Sequence, residues 1–171
     1  MTLAWKTLVI TVFGASAISV SGPSAHPALI WNASPSVPVG LYRVRPEPQP
    51  RAMDVVVVRP PDDLVWFLAE GGYLPRGVPL LKHVAALGGS RVCRTGVAIT
   101  VDGVPFGYAL ERDHRGRPLP VWQGCVVLTA DQVFLMNPDR PDSLDGRYFG
   151  PLDRSTIVGR AEPLWTDEED R

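Results

Sequence analysis

Lysine is scarce in this chain of 171 residues: of its 17 basic residues only Lys6 and Lys82 are lysines, and the rest are arginines. Arginine keeps its proton at any usable pH, whereas a lysine can give its proton up once its surroundings penalise the ammonium. Lys82 sits in Val78-Pro79-Leu80-Leu81-Lys82-His83-Val84-Ala85-Ala86-Leu87, with apolar residues on nearly every side. Moving its pKa from ~10.4 to ~7.5 takes about 4 kcal/mol of desolvation, and such a lysine is a usable general base. A strand lysine turned to solvent, or one paired with a carboxylate, accounts for the same residues.

Ser36 is the second candidate, in Asn32-Ala33-Ser34-Pro35-Ser36-Val37-Pro38-Val39-Gly40-Leu41-Tyr42 after the apolar Ala28-Leu29-Ile30-Trp31. Pro35 and Pro38 stiffen the segment, which can hold a hydroxyl and a backbone N–H at fixed angles, as a nucleophile with its own oxyanion donor requires. A proline-rich spacer leading into the first strand is the alternative. The third cluster runs from Asn137 to Pro151 and holds Asp139, Asp142 and Asp145, with Arg140, Arg147, Tyr148 and Phe149. Asp145 and Arg147 can brace a long loop as an ion pair. A calcium loop of the three aspartates fails on spacing, since an EF-hand needs alternating oxygen ligands and a Glu at its twelfth position. No metal or other cofactor is expected.

Cys93 and Cys125 are the only cysteines, and no CxxC or histidine cluster accompanies them, because His26, His83 and His114 are scattered. An even count in an exported chain reads as a disulfide, contributing on the order of 3 to 4 kcal/mol by loop entropy.

The elements that must position these residues are mostly strands. Proline at 18 of 171 residues is about twice its ordinary ~5% share and interrupts any long helix. Strands are expected over 41–44, 54–59, 78–85, 97–101, 104–106, 126–128, 133–136 and 156–158. Asp102-Gly103 is a two-residue hairpin turn, and 112–118 is a polar loop. One short helix is expected over 64–70, started by Asp62-Asp63 and stopped by Gly71-Gly72. The tail over 167–170 is acidic.

Length allows one domain, and a net charge of −1 leaves no footprint for nucleic acid. Lys6 precedes an uncharged run from Thr7 to Val20, closed by Ser21-Gly22-Pro23. As a helix that run reaches only about 21 Å, short of the ~30 Å hydrocarbon core; extension back to Leu3 makes it a signal anchor over 1–22. Ala15-Ser16-Ala17 and Pro23-Ser24-Ala25 equally fit a cleaved signal peptide. Either way residues 23–171 form an exported domain, held at the outer face of the cytoplasmic membrane or released from it.

Taken in order, Ser36-Val37-Pro38 with Gly40-Leu41-Tyr42, Lys82 before Val84-Ala85-Ala86-Leu87-Gly88-Gly89, and Ser143-Leu144-Asp145-Gly146-Arg147-Tyr148-Phe149-Gly150 resemble the boxes of the signal peptidase I superfamily. The Gly-Leu-Tyr after the serine box and the Tyr-Phe-Gly-Pro ending are most similar to its conjugative-transfer branch, the TraF-type peptidases. The resemblance runs from about Trp31 to Pro151. It implies a mainly β, signal-peptidase-like catalytic domain of packed antiparallel sheets behind an N-terminal membrane anchor helix, in the periplasm. Ser36 would be the nucleophile and Lys82 its general base. The Ser36 N–H and the Ser34 hydroxyl would form the oxyanion hole, Ser143 would orient the lysine, and Asp145 would support the site directly or through Arg147. The implied substrate is an exported precursor, in TraF-type relatives a conjugative pilin precursor whose acyl-enzyme can be resolved by the chain's own amino end to give a cyclic product. A general leader peptidase and a non-catalytic exported β scaffold of a secretion or conjugation complex are the alternatives. The self-cleaving repressor class shares the dyad and is disfavoured by the apolar N-terminal run. Three departures from the family pattern are Val37, where methionine is more frequent, the opening of the third box as Met136-Asn137-Pro138 without the Gly-Asp or Gly-Ser before Asn typical of leader peptidases, and Gly146, where serine is common.

Overall fold

The computed structural model describes residues 28–47 and 49–167, and the expected anchor over 1–22 lies outside them. Among the described residues no helix is long and apolar enough to cross a membrane. The elements in chain order are β1 (Leu29–Asn32), β2 (Gly40–Arg45), β3 (Val55–Val58), α1 (Asp62–Glu70), β4 (Leu80–Leu87), β5 (Arg91–Thr95), β6 (Ala98–Val101), β7 (Val104–Tyr108), β8 (Gly124–Val127), β9 (Gln132–Leu135), α2 (Gly146–Phe149), β10 (Leu152–Asp153) and β11 (Ile157–Thr166). They build two sheets, one of seven strands in the order β1-β2-β11-β3-β4-β9-β10 and one of four in the order β7-β6-β5-β8. Every pairing is antiparallel. The expected mainly β architecture of antiparallel sheets is what forms.

Local chemistry explains the elements that matter most. The four valines of β3 suit an inner strand, since β-branched side chains pack well on a pleated surface and both flanks are occupied, by β11 and β4. Three of them, Val56, Val57 and Val58, are buried. Helix α1 has Asp62 and Asp63 in its first turn, buries Leu64 and Leu68 one turn apart, and stops where the Gly71 N–H bonds to Phe67 O. At the β6–β7 hairpin Asp102 and Gly103 have φ of 51° and 80°, the left-handed pair that a tight two-residue turn demands. Cys93 and Cys125 lie directly opposite each other on β5 and β8 and form the expected disulfide.

The two sheets meet where Ala85 and Ala86 of β4 and Phe134 of β9, followed by Met136, pack with Val92 of β5 and Ile99 of β6. Elsewhere in the larger sheet, Val37, Tyr42, Val57, Leu81 and Ala161 form one cluster, and Val56, Val58, Val84, Val133 and Leu135 another. Strand β4 contributes to all three clusters and is therefore the firmest mount in the domain.

Five elements differ from expectation, among them strands β5 and β10, which form where no strand was expected. Residues 29–32 are an edge strand, β1, paired with β2. Strand β11 continues to Thr166 instead of ending at 158; its alternation is broken by Pro163, beside which the register shifts. Helix α2 adds a single turn to the one helix expected, too short for any periodic signal.

Candidate active site

Strand β4 places Lys82 directly opposite Val56 of β3, on the same face as Leu80 and Val84. Its side chain is 4% exposed. Burial pushes its pKa from 10.5 down to about 8; the Asp145 and Asp142 carboxylates pull it back up, and the Arg147 guanidinium lowers it further. Lys82 Nζ donates a 2.8 Å hydrogen bond to Ser143 Oγ. Among the described residues it forms no ion pair, so neither the solvent-facing nor the carboxylate-paired lysine is what the chain builds. From Leu80 to Lys82 the strand pairs with β3 alone, because pairing with β9 begins at Val84.

The serine segment is a fastened turn between β1 and β2. The Asn32 amide donates to Ser34 O at 2.7 Å, Val37 O at 3.1 Å and Pro38 O at 3.0 Å, and its carbonyl accepts from Ser34 N at 3.1 Å. The Tyr42 hydroxyl donates to Pro38 O at 2.7 Å. Val37 is buried in the core and pins the residue after Ser36. Gly40 closes the turn where a Cβ would meet Trp165 O at 2.1 Å, so only glycine fits. Ser36 Oγ lies 3.0 Å from Ser34 Oγ, and the Ser36 N–H faces the same Ser34 oxygen at 3.4 Å.

The third segment is braced by a buried ion pair. Asp145 caps α2 through its bond to Arg147 N, accepts from Asn137 N at 3.0 Å, and pairs with the Arg147 guanidinium at 2.8 Å. Arg147 in turn donates to the carbonyls of Asn137, Arg140 and Pro141 at 2.9, 2.7 and 3.3 Å. One guanidinium thus holds most of the turn that presents Ser143. Among the described residues Asp145 makes no hydrogen bond to Lys82 or Ser36; it braces the turn through Arg147 and acts on Lys82 only through its charge. Asp145→Asn is expected to destabilise the domain by about 3 kcal/mol, because it leaves a buried guanidinium without its counter-charge. Urea unfolding measures this, and an unchanged midpoint would contradict the bracing.

Ser34, Ser36, Lys82, Asp142 and Ser143 all line one cleft of about 820 Å³, whose remaining walls are largely apolar and include Leu68, Leu80, Leu110 and Leu119. The structure brings Ser36 and Lys82 into this shared cleft, though no hydrogen bond joins them. The arrangement offers a half-buried hydroxyl, a backbone N–H and second hydroxyl beside it, and an amine neutral in a useful fraction near physiological pH.

Sequence reading missed two supports. Asn32 organises the serine turn, and its position two residues ahead of Ser34 is an Asx-turn signal. Asn137 links β4 to the third segment: its carbonyl accepts from His83 N at 2.9 Å, and its amide reaches Leu81 O and Ser143 Oγ, each at 3.4 Å. Gly146 also gains a reason. A Cβ there would lie 2.6 Å from the Phe134 ring and 2.7 Å from Leu135 O, so a serine does not fit against this β9.

The match to known proteins follows the same frame. The model of the signal peptidase family, peptidase S26, matches residues 2–165, and the chain belongs to that family. It is 39% identical over 145 residues to a probable conjugal transfer protein TraF of Sinorhizobium fredii, covering 79% of this chain and 76% of that one. A plasmid transfer protein TraF of Escherichia coli is 30% identical over 169 residues, covering 94% and 96%. A crystal structure of a signal peptidase I from Enterococcus faecalis aligns with 66% of this chain and 96% of its own at 17% identity, with a TM-score of 0.39, too loose a likeness to locate any residue.

Proposed function

We propose that this protein is a membrane-anchored serine endopeptidase that matures an exported precursor of the conjugation apparatus, with Ser36 as nucleophile and Lys82 as general base. The observation that carries the reading is a lysine buried to 4% and lowered to about 8 in the same cleft as a fastened serine. Family membership supports peptide-bond chemistry, and the conjugal-transfer names of the relatives support the setting. The run from Thr7 to Val20 supports anchoring, and the exposed Trp31–Trp165 stack on β1 and β11 suits a membrane-facing edge.

In the reaction the neutral Lys82 amine takes the Ser36 hydroxyl proton as Oγ attacks the scissile carbonyl carbon. The carbonyl electron pair moves onto oxygen, where the Ser36 N–H and the Ser34 hydroxyl stabilise it. Collapse expels the new amino terminus, which takes the proton from the Lys82 ammonium and leaves an ester on Ser36. Water, deprotonated by Lys82, then releases the acid; an amine of the substrate acting in its place gives a cyclic product. Ser143 holds Nζ in place throughout. Beyond β3 no strand among the described residues pairs with β4 at 80–82, and this edge, met by the Asn137 amide at Leu81 O, suits an extended substrate, which gains main-chain hydrogen bonds there.

Substrate choice separates this from a general leader peptidase. Membranes carrying the protein are expected to process a conjugative pilin precursor and leave ordinary secretory precursors intact, as read by gel mobility. Efficient cleavage of the secretory set would favour the leader peptidase, and cleavage of neither would favour the scaffold.

A further inference from the structure

One wall of the cleft takes no part in the chemistry above. It is a narrow arm over 109–120 that leaves the four-stranded sheet, and its Leu110, Arg112, Asp113, His114 and Leu119 line the cavity. The arm folds back on itself: Asp113 N donates to Arg117 O at 2.9 Å, Leu119 N to Glu111 O at 3.0 Å, and Arg112 bridges to Pro118. Its base is seated in the core, where Ala109 and Leu119 pack with Tyr148 and the Leu110 N–H donates to the Tyr148 hydroxyl at 2.9 Å.

The tip is tied across to the end of α1 by a cluster centred on Asp113. That carboxylate accepts from the Tyr73 hydroxyl at 2.6 Å, from Arg115 N and Arg117 N at 2.9 Å each, and from Arg117 Nε at 2.7 Å. Arg117 also reaches Gly71 O at 2.8 Å and lies over the Tyr73 ring at 4.5 Å. Desolvation pulls the Asp113 carboxyl upward, but the bonds from Tyr73, Arg117 and Arg115 outweigh it and hold the group well below the usual carboxylate range. It therefore stays ionised across the working range. On the α1 side of the latch, Leu68, Tyr73 and Leu74 line the same cleft.

We propose that Asp113 is a positioning residue for peptide binding: by fastening the 109–120 arm to the end of α1 it presets the width of the cleft and so determines affinity for an extended chain. The inference rests on reading this cleft as the peptide site. A wall already held in place spares the substrate the entropy of ordering it, whereas a released arm must be ordered anew at each binding event. The bonds of the latch do not involve Ser36, Lys82 or Ser143, and the arm meets the 137–147 segment at its base, through Leu144, away from the Asp113 tip. KM should therefore move far more than kcat.

The test uses the full chain in detergent and a fluorescent peptide with alanines one and three residues before its central bond. Asp113→Asn is expected to raise KM on the order of tenfold, and Tyr73→Phe, which removes one hydroxyl, about threefold, with kcat within about twofold of the parent. In a Ser36→Ala background the same changes should weaken peptide binding, measured by anisotropy, to the same extent. Unchanged KM and binding, or a loss confined to kcat, would overturn the inference. If Asp113→Asn unfolds, Tyr73→Phe decides alone. Binding that weakens in a protein that never cleaves would remove the peptidase reading and keep the latch; cleavage with KM unmoved would do the reverse.

Discussion

Lys82→Arg is expected to lower kcat/KM by roughly 10³-fold or more, although it keeps the positive charge. The guanidinium cannot give up its proton to become a base. At about 8, the native lysine is neutral in about a tenth of molecules at pH 7, roughly 300 times the fraction for a lysine left at its ordinary 10.5. Arginine at the same 4% exposed position would also set a permanent charge among Val56, Leu80 and Val84 near the Arg147 guanidinium, so a stability loss should accompany it. Lys82→Met separates the two effects. It fills similar volume without a charge, and should leave the unfolding midpoint at or above that of the parent while removing activity to the same degree. Full processing by either variant would sink the assignment of Lys82 as base.

Ser36→Ala is expected to abolish processing with a comparable or larger loss, on the order of 10³ to 10⁶ in kcat. Its structural cost should be small. Ser36 is half-buried, and its hydroxyl meets only that of Ser34, whereas the turn itself is fastened by Asn32, Val37 and Tyr42. A change of stability within about 0.5 kcal/mol is expected, together with loss of any covalent substrate adduct in mass spectra of the quenched reaction. An adduct that persists in Ser36→Ala would place the nucleophile elsewhere.

Much of this arrangement was legible because it is local. The run of four valines read as a strand and Asp62-Asp63 with Gly71 bounded α1, whereas the apolar flanks of Lys82 were compatible with burial without deciding it against a solvent-facing strand lysine. Asp102-Gly103 fixed its hairpin in the same way. What stayed hidden is carried by contacts between distant residues. Ser143 reaches Lys82 across 61 positions and Asn137 reaches His83 across 54, and no periodicity or composition encodes such a pair; family resemblance alone suggested the first. Asp145 and Arg147 were visible as a pair, but the bracing they provide depends on the carbonyls that Arg147 gathers from Asn137, Arg140 and Pro141. Gly146 looked like a departure from pattern, and its reason lies in Phe134 on β9.

The central claim is that a neutral Lys82 activates Ser36, and the pH dependence of kcat/KM on a cleavable peptide tests it most directly. Only the deprotonated amine accepts the serine proton, so the rate should climb as pH rises, with unit slope below about 8, and level off above it. A profile flat from ~pH 6 to ~pH 10, or one that falls across that range, would contradict a lysine base.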